Sequence, residues 1–161
     1  MHIPPQKEHE WLNQLLGEWT FESQCAAGPG QPVAKFKGRE SIRSIGGMWV
    51  IGESQSEMPG VGRATMIITL GYDPAKGHYV GTWIGSMMNL LWIYEGHLDA
   101  TGKILTLSAE GPNFADGGKT RTQFHDIITI ISPNHRTLTS EMLGEDGKWD
   151  QFMTGHYHRV G

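Results

Sequence analysis

The chain has 161 residues, with 13 Lys and Arg against 17 Asp and Glu and a net charge of −4 at neutral pH. This length predicts a single domain over 1–161, and the mild acidity argues against nucleic acid, whose binding proteins carry a basic patch. The single cysteine excludes a disulfide within the chain. The sequence has no apolar run of the ~18 residues that a membrane span needs, and residues 1–10 lack the apolar stretch of a signal peptide. We therefore expect a cytoplasmic protein with no membrane partner.

Residues 7–16 predict one helix of about three turns, because apolar side chains recur at i, i+1, i+4 and i+5 from Trp11. Pro4 and Pro5 precede this stripe, where proline is tolerated, and Gly17 follows it as a stop signal. Because so short a helix is marginal in isolation, we expect it to plug or flank one end of a larger fold.

From Glu18 onward, short alternating runs are separated by turn residues, a pattern typical of β-strands. Gly/Pro-rich segments at 28–32, 57–62 and 111–118 predict longer loops. The predicted strands cover residues 18–24, 34–45, 48–56, 63–70, 78–86, 89–98, 104–110, 120–131, 137–143 and 148–159.

About ten short strands with tight turns predict an all-β fold, an antiparallel meander closed into a barrel. Closure removes the two edge strands that an open sheet would expose, and a barrel of this size can hold one small ligand. A two-sheet sandwich is the main competitor, but its crossovers need longer connections than most of those in this sequence.

The sequence also carries motifs of a known family. Gly17-Glu18-Trp19 resembles the Gly-x-Trp signature of lipocalins and their calycin relatives, and Arg159 matches the arginine of the last strand that packs across that tryptophan. Nearly the whole chain resembles a bacterial domain family of unknown function in the calycin clan. The matching segments are 44–49 (SIGGMW), 69–74 (TLGYDP), 81–87 (GTWIGSM), 95–99 (EGHLD), 105–112 (LTLSAEGP) and 156–159 (HYHR).

This resemblance implies a lipocalin-like barrel and no particular activity. It implies a structural role for Trp19 and Arg159, with the arginine closing one barrel end over the indole. We therefore expect Arg159 to matter more for stability than for binding.

Alternation along 34–45 assigns one acidic side chain to the barrel interior. Lys35, Lys37 and Arg39 share one face, which must be solvent, so Glu40 falls on the inner face among apolar residues. A buried carboxylate is costly unless it is paired or hydrogen-bonded. The alternative is that Glu40 lies near a barrel mouth and touches water.

The first functional hypothesis is that the lumen binds a small, largely apolar molecule. Ligand pockets combine apolar walls with a few placed polar groups, although aromatic side chains in a small barrel also serve as plain core filling. Alternation does not decide the inner face of the strands near 48–56, 89–98 and 148–159. The candidate wall residues are Trp49, Trp83, Trp92 and Tyr94, and the candidates for the ligand's polar end are Glu40, Glu53, His97 and His125.

Two alternative functions stay open. The lumen of an enzyme would use an acid/base pair of Glu40 with His97 or His125, or a histidine-bound metal, on a small substrate. An interaction module would have a filled barrel and work through a partner or a homodimer, and an exposed apolar face over 90–93 would favour it.

No cofactor is predicted, but a divalent metal and haem are alternatives. His156 and His158 lie at i, i+2 on one strand face, a spacing that could chelate a metal with His97, His125 or Glu40. Some calycin relatives bind haem inside a ten-strand barrel through one histidine, and His156 and His158 lie in the comparable terminal strand.

Overall fold

The computed structural model describes residues 1–26 and 32–161, so the loop predicted over 28–32 lies outside the described residues apart from Pro32. Ten strands form a closed barrel in which each strand pairs antiparallel with the next and β1 pairs with β10, which confirms the predicted meander barrel. The elements are α1 (Lys7–Trp11), a 3₁₀ turn (Leu12–Leu15), β1 (Gly17–Ala26), β2 (Val33–Ile45), β3 (Trp49–Met58), β4 (Gly62–Asp73), β5 (His78–Gly85), β6 (Trp92–Leu98), β7 (Ile104–Pro112), a 3₁₀ turn (Phe114–Asp116), β8 (Arg121–Ser132), β9 (His135–Leu143) and β10 (Trp149–Arg159).

The boundaries differ from the predicted ones at several ends. β4 runs on to Asp73 although its prediction ended at 70, and β6 begins at Trp92 although its prediction began at 89. The helix predicted over 7–16 has α-helical geometry only over Lys7–Trp11 and continues as a 3₁₀ turn. No helix in the described ranges is both long and apolar enough to cross a membrane.

The N-terminal segment closes one end of the barrel, as its short length led us to expect. Leu12 and Leu15 are buried in the core. The Trp11 indole donates to the carbonyl of Gly102 at 2.7 Å, and the Tyr79 hydroxyl donates to the carbonyl of Glu8 at 2.8 Å. Because each bond joins the helix to a different strand or turn, the segment is fixed across the barrel end.

Trp19 and Arg159 stand opposite each other where β1 meets β10. The Arg159 Cζ lies 4.2 Å from the centre of the Trp19 ring, a cation–π contact. Arg159 also donates to the carbonyls of Leu16, Gln14 and Pro133, and the Gln14 bond measures 2.8 Å. One guanidinium therefore ties the last strand to the N-terminal turn and to the β8–β9 connection.

Burial alternates along the strands, so every second side chain enters the barrel. Interior glycines leave room for large rings, because a Cβ at Gly111 would lie 2.4 Å from the Trp92 ring. The same device acts on the outer surface, where a Cβ at Gly71 would lie 2.3 Å from the ring of Trp49, its register partner. The interior core is therefore built from aromatic and branched aliphatic side chains packed over glycines.

The role of Arg159 in closure is testable. Arg159→Ala is expected to lower the free energy of unfolding by about 1–3 kcal/mol, because it removes a cation–π contact and the charge-assisted hydrogen bonds to three carbonyls. Denaturant unfolding followed by tryptophan fluorescence measures the change. Arg63→Ala is the control, since Arg63 and its partner Glu57 are both exposed and such pairs contribute little. Equal midpoints for the wild type and Arg159→Ala would contradict the structural role.

Candidate functional site

A buried ion pair crosses the barrel interior. Glu40 of β2 is 7% exposed and Arg136 of β9 is 3% exposed, and the Arg136 Nη2 donates to the Glu40 Oε1. Ser54, the register partner of Glu40 on β3, donates to the second carboxylate oxygen at 2.9 Å. Both carboxylate oxygens are thus partnered, which offsets the cost of burying the charge.

Arg136 lies between two aromatic rings. Its Cζ is 4.7 Å from the centre of the Trp19 ring and 4.1 Å from that of Tyr157. Burial, followed by the nearby Glu40 carboxylate, raises the pKa of Tyr157, so the phenol stays neutral. The Arg136 Nε is buried without a hydrogen-bond partner among the described residues. The guanidinium is therefore held in place while one of its donors remains unused.

A second polar group lies on β6, β8 and β9. The Tyr94 hydroxyl donates to the Asp126 Oδ2, and the Ser140 hydroxyl donates to the Asp126 Oδ1 at 2.5 Å. Burial raises the pKa of Asp126, although the Ser140 and Tyr94 bonds oppose that shift. Burial and the adjacent Asp126 raise the pKa of Tyr94. Burial thus favours the protonated form of the Asp126 carboxyl group, and the Tyr94 phenol is a donor rather than a base.

The barrel end opposite α1 is closed by an aromatic cluster. The rings of Trp92 and Phe124 are 4.9 Å apart, and Phe114 packs 5.2 Å from Phe124 and 5.6 Å from Phe152. Phe114 lies on the 3₁₀ turn between β7 and β8 and is 44% exposed. The ring that covers this end is therefore carried by a short turn rather than by a strand.

Four of the predicted lumenal residues lie on the inner face. Glu40, Trp92 and Tyr94 are buried there, and Trp83 lies half-buried against the same core. Among these four, Trp92 also donates from its indole nitrogen to the Met88 sulfur at 3.2 Å.

Four other predicted lumenal residues lie outside the barrel, and their inward placement is wrong. Trp49 is 45% exposed and lies over Gly71 on the outer face, and Glu53 shares that face because the alternate residues of β3 are the buried ones. His97 is exposed, 3.8 Å from Glu95. His125 stacks on the Trp149 ring, with centroids 3.8 Å apart, and its Nδ1 lies 2.8 Å from the Glu141 carboxylate.

The acid/base pair predicted for Glu40 is therefore not formed. Neither His97 nor His125 reaches the interior, because each precedes or follows a buried residue on its strand. Glu40 has Arg136 as its partner instead. Asp126, the other acid of the interior, accepts a hydrogen bond from Tyr94.

His156 and His158 also lie on the outer face, because Gly155 and Tyr157 are the buried residues of β10. They lie beside His135, whose Nε2 is 3.2 Å from the His156 Nδ1. Over the described ranges, the metal-ligating side chains form no group of three that could hold an ion. A haem inside the barrel ligated by His156 or His158 does not fit this geometry, since neither imidazole faces the lumen.

Most polar residues of the barrel interior were not predicted from the sequence. Asp126 carried a usable signal, because it alternates with the apolar Phe124 and Ile128 on one strand face. Arg136 carried none, since it lies between the turn predicted over 132–135 and the strand predicted to begin at 137. Other missed polar residues of the interior are Ser23, Ser54, Ser56, Ser140 and Tyr157.

Residues 4–159 match the family described as protein of unknown function DUF1579, and the chain belongs to it. No curated protein matches the sequence. The fold is similar to that of Rv2717c from M. tuberculosis, with a TM-score of 0.66, 14% identity, and coverage of 98% of this chain and 100% of that one. It is also similar to the S-type phycobiliprotein lyase CPES from Guillardia theta, with a TM-score of 0.60, 12% identity and coverage of 98% and 99%. At 14% and 12% identity, these similarities show a shared fold alone.

The raised pKa of Asp126 makes a testable contribution to stability. In the unfolded chain this carboxyl titrates near 3.8, and burial raises its folded pKa above that value. Between these two pKa values the folded state binds more protons than the unfolded state, so this contribution to stability falls as the pH rises through that interval.

Asp126→Asn is therefore expected to abolish this decrease in stability with rising pH. Denaturant unfolding from pH 3.5 upward, in steps of about half a unit, should show the wild type losing stability relative to the variant. Ser108→Ala, on the partly buried β7 position opposite His125, is the control for a nearby substitution without a charge. A constant difference between wild type and Asp126→Asn across the interval would show that the carboxyl titrates normally.

Proposed function

We propose that the barrel interior binds one small, largely apolar molecule whose polar end meets the interior polar cluster, defined as Glu40, Ser54, Asp126, Arg136 and Ser140. The observation that carries this proposal is the buried Arg136 Nε, which has no partner among the described residues. A buried donor without an acceptor costs about 1–3 kcal/mol, and more when the donor is charged. An acceptor atom on a bound molecule would offset that cost.

The contacts of Arg136 preorganise its Nε–H donor before any ligand binds. Its guanidinium is held between the rings of Trp19 and Tyr157 and by the Glu40 carboxylate. Because the side chain is already ordered, a ligand would lose little free energy in fixing it. The Glu40 charge balances the Arg136 charge, so the ligand's polar end need not be ionised.

The aromatic side chains supply the apolar part of the proposed site. Trp92 and Tyr94 are buried on the inner face of β6, and Trp83 lies half-buried on neighbouring β5. Large rings of this kind provide most of the contact area in small-molecule sites. The ligand would enter the barrel through the end opposite α1, where the half-exposed Phe114 covers Phe124.

Fluorescence titration with N-phenyl-1-naphthylamine, a neutral apolar probe, tests the proposal. Trp92→Leu, on the inner face, is expected to weaken probe binding by about tenfold, because it removes most of one ring's contact area. Ile93→Ser, on the adjacent residue of the same strand but 66% exposed outside, is the matched control and should bind as the wild type does. Equal affinities in all three proteins would contradict a lumenal site.

Native mass spectrometry of freshly purified protein gives the ligand's mass directly. Extra mass that is lost under denaturing conditions is expected, and it should be reduced in Trp92→Leu relative to Ile93→Ser. Extra mass retained equally by both variants would place the bound molecule outside the lumen.

A second candidate function is interaction through the outer wall of β5 and β6. Ile93 is 66% exposed and Leu91 is 53% exposed, with Ile84 and Met88 also exposed beside them. A depression of ≈490 Å³ lies next to this surface and is lined by Ile67, Ile84, Met88 and Leu91 among others. A second copy of the chain would offer the same uncharged surface across a two-fold axis.

Sedimentation velocity over a range of concentrations tests the second candidate. Wild-type protein is expected to form a dimer, and Ile93→Lys should shift it to monomer because the lysine charge would be buried at the contact. Thr106→Lys, a half-buried position on β7, controls for a general effect of added charge. A wild type that stays monomeric at the highest concentration would overturn the dimer.

A further inference from the structure

A cluster of basic and imidazole side chains occupies one part of the outer surface, away from the lumen. The register aligns Arg39 of β2, Thr20 of β1, His158 of β10 and His135 of β9 in one row. A second row, one pleat further along, aligns Lys37, Glu22 and His156. Residues two apart on a strand share a face, so all these side chains project from the same outer surface.

A depression of ≈320 Å³ lies within this cluster. We call it the outer cleft and define it by the side chains that surround it: Thr20, Glu22, Lys37, Arg39, His156 and His158. Thr20 is short, whereas its two register partners Arg39 and His158 are long. The threonine therefore forms the floor and the longer side chains form the walls.

The charge of the outer cleft differs in sign from that of the chain. Lys37 and Arg39 are permanent cations and Glu22 is the one carboxylate among the lining side chains, while the whole chain carries −4. The histidines add positive charge when they are protonated. Burial, and then the neighbouring His158 and His156, lower the pKa of His135, a repulsion that a bound anion would relieve.

We propose that the outer cleft binds the phosphate group of a small phosphate monoester, or an equivalent dianionic oxyanion, between Arg39 and His158. A guanidinium provides planar, paired N–H donors that match phosphate oxygens, and an imidazolium adds a further charged donor. Thr20 contributes a hydroxyl at the floor, and the ≈320 Å³ volume leaves room for a small organic group beside the phosphate.

A cation is the less suitable occupant of the same place. Lys37 and Arg39 would repel a metal ion, and the described residues offer no group of three metal-ligating side chains. The close approach of His135 and His156, 3.2 Å between ring nitrogens, is instead a hydrogen bond between two imidazoles. That bond positions His156 at the edge of the outer cleft.

Titration with inorganic phosphate, followed by ¹H–¹⁵N NMR at constant ionic strength against sodium chloride, tests the site. Arg39→Gln is expected to weaken binding by about fivefold to tenfold, because it removes a charge-assisted pair of bonds. Arg43→Gln is the matched control, since Arg43 is exposed on the same face of β2, opposite Ile51, and does not line the outer cleft. Equal weakening in both variants, or shifts reproduced by chloride, would overturn the proposal.

Glu22→Gln provides a test that misfolding cannot mimic. It removes the one carboxylate of the outer cleft and is expected to strengthen phosphate binding by about twofold to fivefold. Unchanged or weaker binding in this variant would contradict a phosphate placed between Arg39 and His158.

The pH dependence of anion binding distinguishes the contribution of the histidines from that of Lys37 and Arg39, which stay charged. His135 faces His156 and His158 of β10, with the uncharged Ser132 as its β8 partner, and beyond β10 lie Glu22, Lys37 and Arg39. Sulfate stays a dianion between pH 8 and 6, whereas phosphate gains a proton over that range, so sulfate is the probe for this test. Sulfate binding should strengthen as the pH falls from 8 toward 6, and His158→Asn should reduce that trend. If His158→Asn shows the same pH dependence as the wild type, the His158 imidazole does not take part in binding.

Sedimentation with lipid vesicles distinguishes the two sources of a phosphate group. Phosphatidylcholine vesicles are compared with and without phosphatidic acid. Phosphatidate-dependent sedimentation that Arg39→Gln abolishes would assign the phosphate to a lipid headgroup. Saturable phosphate binding without sedimentation would assign it to a soluble ester, and failure of both would overturn the proposal.

Discussion

The pairing of β1 with β10 is the contact on which the rest of the molecule depends. Without it the meander would be an open sheet with two exposed edges, and the alternate side chains of ten strands would have no enclosed space to fill. Trp19 and Arg159 stand opposite each other at this seam, and the arginine continues from the seam to the N-terminal turn. Closure of the wall and closure of one end therefore use the same side chain.

Closure of the barrel also explains why polar side chains lie in its interior and why their charges must be compensated. Strand alternation sends side chains inward whether or not they are apolar, so Glu40, Arg136 and Asp126 enter a space with little water. Glu40 and Arg136 neutralise each other, while burial raises the pKa of Asp126 toward its neutral form. Pairing and burial thus both act against net charge in the interior, and the hydrogen-bonding capacity left unused among the described residues lies on Arg136.

The buried ion pair is weak evidence for stability by itself. A buried pair often contributes less than apolar residues of similar volume would, because desolvation offsets the attraction between the charges. The retention of such a pair beside an unused donor is easier to understand if the pair serves recognition. This is the physical reason to place the proposed ligand's polar end at Arg136 rather than at the aromatic cluster around Phe124.

Local alternation was enough to predict part of the site. The basic outer face of β2 fixed the inward direction of Glu40, and the fold followed from the spacing of strands and turns. The direction of Trp49 could not be predicted, because both faces of its segment contain apolar residues and the decisive feature is Gly71, its partner on the next strand. The inward prediction followed the general burial of tryptophan in protein cores. Here Trp49 packs on the outer face instead, because Gly71 has no side chain and leaves room for the ring.

Arg136 shows the limit of local reasoning most clearly. It pairs with Glu40 across 96 positions of sequence, and β1 and β10 lie between their strands in the barrel. No motif or period links two such positions, since their contact depends on barrel closure and on the register of every strand between them. The residue that carries the proposed function therefore becomes visible only when the whole barrel is assembled.

The two proposed sites share strands but not side chains. On β10, Tyr157 faces the lumen against Arg136, while His156 and His158 on either side of it face the outer cleft. On β1, Trp19 and Phe21 are buried, and Thr20 and Glu22 lie outside. One sheet thickness thus separates the two sites, and a slip of one residue in the β1–β10 register would exchange their contents. The seam that closes the barrel would therefore also keep the proposed apolar ligand site and the proposed anion site apart on the same pair of strands.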